Sequence, residues 1–393
     1  MGDKMRMKIA FCIPEIIIGG VECVFIEILD GTIKKLDTDV VVVTQEKIQD
    51  KYFQEWFRAH PNIKLYTMYP AAHIFDATKK YMHVFPLKNI RKIIYSLYKK
   101  YKNHRAMRRG IFSDCDLVID YKNASFAKIL QKFPNKKITW IHGSIDFFTS
   151  NKMDKYLALY DKVVCLTHSF ESDFKLKYPK YANKIVQIYN PINTNRVRQM
   201  AKDGETFNGK YFCAVSRLDA DKDIKTIIDA FGIFWDKAKQ PDVNLVLVGD
   251  GTQATALRKY AENKSCGENI IFVGATHNPF GYMRGAIAHI LSSYNEGMGM
   301  VLVESAACGT INIASDCKNG PVEILMNGDA GLLFTPGDAD ELAKLMQQVW
   351  HNEIDVQKIV KNATDGLDRF STDKIATQIS ELFKSVMGNA GVL

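Results

Sequence analysis

No apolar run in the 393-residue sequence approaches the ~18–20 residues that a membrane-spanning helix needs. The basic start, Met1 to Lys8, leads into apolar Ile9–Ile13, which has the look of a signal peptide. Pro14 and Glu15 interrupt the run, and no small-residue cleavage site follows Ile16-Ile17-Ile18, so a first buried strand is the better reading. The eight cysteines (12, 23, 115, 165, 213, 266, 308, 317) include no CxxC, and several sit in apolar strand-like segments. Zinc ligands and a disulfide framework are therefore not expected; buried thiols in a reducing cytosol are. There is no low-complexity segment and no short-period repeat, which argues against fibrous and solenoid architectures.

Acidic residues are missing from one long stretch. Between Asp76 and Asp114 lie 37 residues with no acid and eleven bases. The overall charge of +8 is unevenly spread: residues 206–393 hold 17 basic and 23 acidic residues, leaving 35 and 21 for residues 1–205. A basic half joined to an acidic half suggests that the first half meets something anionic. The length fits two domains of roughly 200 residues each, and the composition, 47% hydrophobic and 24% charged, is globular.

What is present is alternation. Short Val- and Ile-rich runs (8–13, 40–43, 117–120, 138–141, 163–166, 185–189) are separated by helix-period segments, and the second half repeats the habit (211–215, 244–248, 270–273, 288–291, 311–314, 331–334). Runs apolar on both faces belong to parallel sheets covered by helices, so each half is expected to be a doubly wound α/β domain. Asn190-Pro191 closes the first series, and the polar stretch 198–209 is expected to be a linker. Ligands of such sheets bind beyond the carboxyl ends of the strands, and two facing domains put the site in the cleft between them.

Several strand ends carry candidate chemistry. The first run is followed by Gly19-Gly20-Val21-Glu22, where glycines let backbone N–H groups approach a phosphate or sugar, or simply make a tight turn. After residues 211–215, Arg217 and Lys222 enter a helix start. A guanidinium fork and a point ammonium there can neutralise a diphosphate, or pair with the neighbouring aspartates. Val248 leads into Gly249-Asp250-Gly251-Thr252-Gln253-Ala254, formally a GxGxxA, but Glu268 precedes the next strand where a dinucleotide fingerprint wants an acid after it. The strongest constellation is Ser293–Gly309: Glu296 in a Gly-rich loop, glycines at 297 and 299 opening a helix start for phosphate, and Glu304 placed to accept from a ribose diol. Glu323 is expected either to cap its own helix or to touch a ligand, and His142, beside Gly143 at a strand end, to be either structural or a ligand contact.

Together the E-x7-E pair Glu296/Glu304, the S-R-L-D-x-D-K of Ser216–Lys222, the V-G-D-G of Val248–Gly251 and the N-G-P-V-E-I-L of Asn319–Leu325 closely resemble glycosyltransferase family 4. The match runs over about Tyr211–Leu345; in the first half only Gly19-Gly20, His142 and Asn190-Pro191 match. The resemblance implies a GT-B fold, α/β with two Rossmann-like doubly wound domains facing across a cleft. It implies an acceptor-binding domain over 1–197, a linker over 198–209, a nucleotide-sugar-binding domain over 210–371, and a C-terminal helix over 372–393 packing back toward the first domain.

It also implies roles. Arg217 and Lys222 would bind the donor diphosphate and Glu304 the ribose, with Gly249 nearby and the backbone at Phe272 and Val273 receiving the base. Glu296 would contact the donor sugar near the reacting carbon, and the N–H groups of Gly297, Met298, Gly299 and Met300 the phosphates. Gly19, Gly20 and His142 would close over the site from the first domain. The implied enzyme is a retaining hexosyltransferase without metal or other cofactor, using a nucleotide-sugar, with UDP as the expected carrier, and electrostatic stabilisation of the leaving group. Where the family commonly has a larger apolar residue, this loop has Met298. The D-x-D spacing of metal-dependent transferases occurs five times, too often for any one to be informative.

In the acid-free stretch, Lys88, Arg91, Lys92, Lys99, Lys100, Lys102, Arg105, Arg108 and Arg109 surround Tyr95, Tyr98 and Tyr101 at helical spacing, with Ile93, Ile94 and Leu97. Bases beside aromatic and aliphatic residues on a helix read as a segment lying on an anionic membrane, against a plain solvated face. Without a recognition motif, nucleic acid is not the expected partner. The expectation is a cytoplasmic protein, peripheral on the inner face of the cell membrane, that glycosylates a glycan or lipid-linked acceptor in cell-surface polysaccharide or lipopolysaccharide synthesis. A nucleotide-sugar epimerase or phosphorylase of the same architecture, a non-catalytic membrane-bound scaffold, and an oxidoreductase are the competing readings.

Overall fold

The computed structural model describes residues 6–16, 19–36, 38–69, 93–98, 101–102, 110–143 and 153–388. The chain divides into two compact units, one of residues 1–165, 173–188 and 376–393, the other of residues 166–172 and 189–375.

The first unit is built on a seven-stranded parallel sheet: β1 (Met7–Ile13), β2 (Thr38–Thr44), β3 (Lys64–Thr67), β4 (Leu117–Asp120), β5 (Lys136–Ile141), β6 (Lys162–Cys165) and β7 (Ile185–Gln187). Its order is β3-β2-β1-β4-β5-β6-β7, so the direction of winding reverses between β1 and β4. The central strands are the apolar runs of the sequence and are buried on both faces. Strand β3 escapes the sequence pattern because it is an edge strand of only four residues, Lys-Leu-Tyr-Thr, and none is buried. Helix α1 (Gly20–Lys35) follows β1, with Glu22 in its first turn and Lys34 and Lys35 in its last, the charge order its dipole favours. Most of the C-terminal helix, Thr372–Met387, belongs to this unit, where Phe383 packs against Phe11 and Trp140.

The second unit holds a six-stranded parallel sheet: β8 (Tyr211–Val215), β9 (Asn244–Val248), β10 (Ile270–Gly274), β11 (His289–Leu291), β12 (Asn312–Ser315) and β13 (Leu332–Phe334), in the order β10-β9-β8-β11-β12-β13. Here the reversal falls between β8 and β11. Phe231, Phe234 and Trp235 of the helix Ile224–Lys237, with Leu342 and Met346 of the helix Ala339–Trp350, bury one face of the sheet. Asp338 caps the latter helix by accepting from the Glu341 N–H, which accounts for one of the D-x-D occurrences. The stretch 198–209 is not extended: the helix Thr194–Asp203 occupies its first half, capped by the Asn193 side chain.

None of the eight cysteines is in a disulfide; six are buried, Cys308 is half-buried and Cys23 is exposed. Among the described residues no helix is long and apolar enough to cross a membrane.

Candidate active site

In an open parallel sheet the loops on either side of the winding reversal diverge and leave a crevice at the strands' carboxyl ends. In the second unit those loops follow β8 and β11, and they carry the charged residues singled out from the sequence. A short 3-10 turn, Ala220–Lys222, lies between β8 and the helix Ile224–Lys237. Lys222 reaches the loop after β11, its Nζ donating to Glu296 Oε1 at 2.7 Å; both side chains are largely buried. Arg217 is mostly exposed and pairs closely with Asp219 and, at 3.5 Å, with Asp221 Oδ2. Lys222 Nζ lies 3.6 Å from the same Asp221 oxygen. Two cations thus converge on one carboxylate oxygen, as they would on a phosphate. Pairing with aspartates and readiness for an anion are both present in this geometry.

Gly249 and Gly251 serve the same loop from beneath. A Cβ on Gly249 would meet Ser216 O at 1.8 Å, and one on Gly251 would meet the Leu218 backbone at 2.6 Å. The GxG after β9 is therefore required by backbone packed against the Ser216–Leu218 segment, which explains its resemblance to a dinucleotide fingerprint without the acid that completes one. Thr252 adds two bonds to Asp219, through its N–H and its hydroxyl. At the end of β10, Phe272 is stacked by the Arg258 guanidinium 4.7 Å from its ring, and Val273 is half-buried beside it.

Beyond Glu296 the chain turns through Gly299, whose φ of +80° is a left-handed conformation glycine adopts freely, into the helix Met300–Ala307. The Met298 side chain is buried, and its sulfur accepts the Asn190 N–H at 3.3 Å. Glu304, one turn into the helix, is half-buried, and its carboxylate has no hydrogen bond or ion pair among the described residues. Loss of water pushes its pKa up to about 7. An unsatisfied carboxylate at this place is held ready for hydroxyl donors.

Glu323 does not cap its own helix. Its two oxygens accept the backbone N–H groups of His168 and Ser169, at 3.0 and 3.1 Å, and the Tyr189 hydroxyl at 2.6 Å. It caps the start of the helix His168–Lys177 instead of its own, and it is one wall of a cavity of about 640 Å³ with Asp316, Lys318, Asn319 and Arg369. Nothing in its own neighbourhood of the sequence signals that distant partner.

The reversal of the first unit lies between β1 and β4 and is built differently. Glu22 is buried, and its carboxylate folds back over the helix start: a Cβ on Gly19 would meet Glu22 Oε2 at 2.7 Å. Lys122, just after β4, donates to Glu22 Oε1 at 2.9 Å and lies 3.8 Å from Glu15. The start of α1 is thus occupied at Gly19 by the protein's own carboxylate, which Lys122 neutralises. The sequence reading missed Lys122; the signal available was its position directly after a strand next to β1. His142, after β5, has its Nε2 2.7 Å from the Tyr121 carbonyl and its N–H bonded to Asn123. Burial depresses its pKa to about 4, so the ring is neutral. The bond to a carbonyl requires Nε2–H, leaving Nδ1, which is buried and has no hydrogen-bond partner among the described residues, as an acceptor. Asp120, at the end of β4, is fully buried and accepts from Tyr160, Phe126 and Ser125.

Of the nine bases in the expected membrane segment only Lys102 lies among the described residues; Lys88, Arg91, Lys92, Lys99, Lys100, Arg105, Arg108 and Arg109 lie outside them. Within the segment, residues 93–98 are helical, and Ile93, Ile94, Leu97 and Tyr101 are each exposed by half or more. No group of three metal-ligating side chains occurs among the described residues.

Two doubly wound parallel-sheet domains in one chain are the GT-B fold. The Anabaena protein Alr3699/HepE, solved in complex with UDP-glucose, superposes with a TM-score of 0.70, covering 97% of this chain and 100% of that one at 20% identity. At that identity the likeness establishes the fold alone. Residues 196–366 match the family model Glycosyl transferases group 1. The exopolysaccharide phosphotransferase SCO2592 of Streptomyces coelicolor is 27% identical over 58% of this chain but only 24% of its own length. The lipopolysaccharide 1,6-galactosyltransferase of Salmonella typhimurium is 24% identical over 65% of this chain and 70% of its own.

Proposed function

We propose that the protein is a retaining glycosyltransferase that moves a hexose or N-acetylhexosamine from a nucleotide-sugar, with UDP as the carrier, to a glycan or lipid-linked acceptor of a cell-surface polysaccharide. The observation that carries this reading is the convergence of Arg217 and Lys222 on one Asp221 oxygen, with Lys222 bonded to Glu296, at the reversal between β8 and β11. A departing nucleoside diphosphate develops negative charge, and cations placed there stabilise it most where water is scarce. Arg217 and Lys222 supply that charge without a metal ion. Glu304 takes the ribose hydroxyls, Phe272 and Val273 the base, Gly297, Gly299 and Met300 the phosphates through their N–H groups, and Glu296 the sugar. The match of residues 196–366, the UDP-glucose held by the HepE protein and the lipopolysaccharide substrate in the Salmonella relative's name all favour this reading.

A thermal-shift panel of UDP-, GDP- and ADP-sugars tests it, followed by product detection with the best binder. Stabilisation by a UDP-sugar, transfer to an added acceptor with the anomeric configuration kept, and turnover unchanged by EDTA are the expected results. Stabilisation by NAD alone, or conversion of the sugar without an acceptor, would replace it with an oxidoreductase or an epimerase.

The acceptor reading extends to a membrane. Ile93, Ile94, Leu97 and Tyr101 expose apolar surface within a stretch of eleven bases and no acid, the combination that settles at an anionic interface. Co-sedimentation with vesicles containing anionic lipid, but not with neutral vesicles, is expected at low salt. Equal binding to both sinks the membrane reading and leaves the transferase reading intact.

A further inference from the structure

Two adjacent serines after β11 hold the two halves of the candidate site, and each holds a different half. Ser292 is buried, and its hydroxyl lies 2.8 Å from the Lys222 carbonyl and 2.9 Å from the Asp223 carbonyl. The Tyr294 N–H donates to the Asp221 carbonyl at 3.0 Å. Three consecutive carbonyls of the Lys222 turn are therefore gripped by the loop after β11. That matters because Asp223 has a left-handed φ of +46°, a strained backbone for a non-glycine residue, at the position that sets where Lys222 points. Ser293, fully buried, donates instead to Glu296 Oε1 at 2.7 Å, the oxygen that also accepts from Lys222 Nζ. Its own carbonyl accepts the buried Ser315 hydroxyl at 2.6 Å, fixing it to β12. With both donors on Oε1, Glu296 Oε2 has no hydrogen bond among the described residues.

We propose, taking the donor-site reading as given, that Ser292 and Ser293 are separate positioning residues. Ser292 sets the diphosphate-binding turn, and Ser293 saturates one oxygen of Glu296 so that the other, Oε2, presents a single acceptor to one hydroxyl of the donor sugar. The two serines are neighbours of equal size, both buried. Their kinetic signatures differ because the groups they hold do different work. Removing the Ser293 hydroxyl leaves the carboxylate held on Oε1 by Lys222 alone, so its plane is less closely fixed, which costs orientation at the reacting sugar but not nucleotide affinity. Removing the Ser292 hydroxyl takes the side-chain donor from the Lys222 carbonyl, leaves the Asp223 carbonyl with the Thr226 N–H alone, and relaxes the turn, which costs diphosphate affinity.

The test compares Ser293→Ala and Ser292→Ala by calorimetry with UDP, by steady-state kinetics with the UDP-sugar that the panel selects, and by thermal unfolding. Ser293→Ala is expected to lower kcat about 10- to 100-fold with the Kd for UDP within about 2-fold of wild type, and to narrow the discrimination between donors differing in one hydroxyl. Ser292→Ala is expected to weaken UDP about 10-fold with a smaller loss of kcat. Ser293→Thr, which keeps the hydroxyl, should recover most of the lost kcat; Ser293→Cys, a weaker donor, serves if threonine lowers the Tm. Overlapping signatures in the two alanine variants, or a kcat in Ser293→Ala equal to wild type, would overturn the assignment. If wild type binds no nucleotide and turns over no nucleotide-sugar, the donor-site reading itself fails, a result distinct from a wild type that works and variants that do not separate.

Discussion

In the first unit the carboxylate beside the winding reversal, Glu22, is buried against Lys122, whereas in the second the loop after β8 leaves Arg217 exposed and the helix after β11 leaves the Glu304 carboxylate without a hydrogen bond or ion pair among the described residues. The two sheets share one strand order, with a seventh strand added at one edge of the first, and in both the loops after the strands on either side of the reversal carry charge. The difference lies in where that charge goes. In the first unit it is spent inside: Glu22 on Lys122, Asp120 on Tyr160, Ser125 and Phe126, and His142 kept neutral. In the second, Arg217, Lys222, Glu296 and Glu304 are only partly satisfied by one another. A crevice with spare charge suits an ionic ligand, and one with its charges neutralised suits a ligand recognised by hydroxyls. The topology supplies the crevice and the loops decide what enters it.

The largest effect that would break this contrast belongs to the second unit. Lys222→Ala and Glu296→Ala are each expected to reduce sugar transfer by about 10²- to 10³-fold, the usual loss when a group stabilising the developing charge is removed. Circular dichroism should stay near wild type in both, while Lys222→Ala, which leaves the largely buried Glu296 with Ser293 but without its cation, is expected to lower the unfolding midpoint. Turnover retained in both variants would show that the spare charge of this unit has no catalytic use.

In the first unit the corresponding substitution should act on stability. Lys122→Ala leaves the Glu22 carboxylate buried without its cation, which is expected to cost about 2–4 kcal/mol in urea unfolding. Arg217→Ala, which removes an exposed pair, should change stability by less than about 1 kcal/mol. If the two variants unfold alike, the contrast between a closed and an open reversal does not hold.

Acid adds a finer comparison, since groups of opposite sign titrate in the same window. Burial depresses the pKa of His142 from 6.5 to about 4, so between those values the unfolded chain binds the extra proton and stability falls as pH falls. Asp120, raised from 3.8 to about 7, works the other way, since its proton is held in the folded state. His142→Gln should therefore gain on wild type as the pH is lowered from 7 to 4, by up to about 3 kcal/mol if the full shift is expressed. Urea unfolding of both proteins across that range gives the slope directly; parallel curves would mean that His142 is not held neutral.

Most of the fold was legible because a doubly wound sheet writes itself as apolar runs. Twelve of the thirteen strands answer to such runs, and the exception, β3, lies at an edge where neither face needs to be apolar. The second unit's loops were legible for a related reason: Arg217, Lys222 and Glu296 lie in the loops that leave β8 and β11, and Glu304 in the helix that the second loop enters, so position along the chain reports position at the crevice. Pairings across the sheet were not legible. Lys222 with Glu296 spans 74 residues, Lys122 with Glu22 spans 100 and His168 with Glu323 spans 155, and spacing along a chain carries no register between distant loops. The serines at 292 and 293 were invisible as chemistry for the same reason, since their roles depend on which carbonyl or carboxylate the other loop brings.

The smallest expected effect is the one that joins stability to binding most directly. Glu304 is raised from 4.5 to about 7 by desolvation with no cation to offset it, so its charge destabilises the folded state fully above pH 7 and not at all below pH 4.5. Because the residue is only half-buried, solvent screening reduces the effect to about 1–2 kcal/mol. Glu304→Gln should thus raise the Tm at pH 8 but not at pH 5, while weakening UDP, because the amide offers a ribose diol one neutral acceptor in place of a charged pair of oxygens. UDP should stabilise wild type more at pH 8 than at pH 5 and should show no such dependence in the variant. Asp120→Asn is the counterpart in the first unit: it too removes a carboxyl raised to about 7, but one whose oxygens already hold Tyr160 and Phe126. Its effect on stability should therefore be the same with and without UDP. A UDP response in Asp120→Asn equal to that of Glu304→Gln would mean that desolvation alone, and not the absence of a partner, marks the carboxylate that meets the ligand.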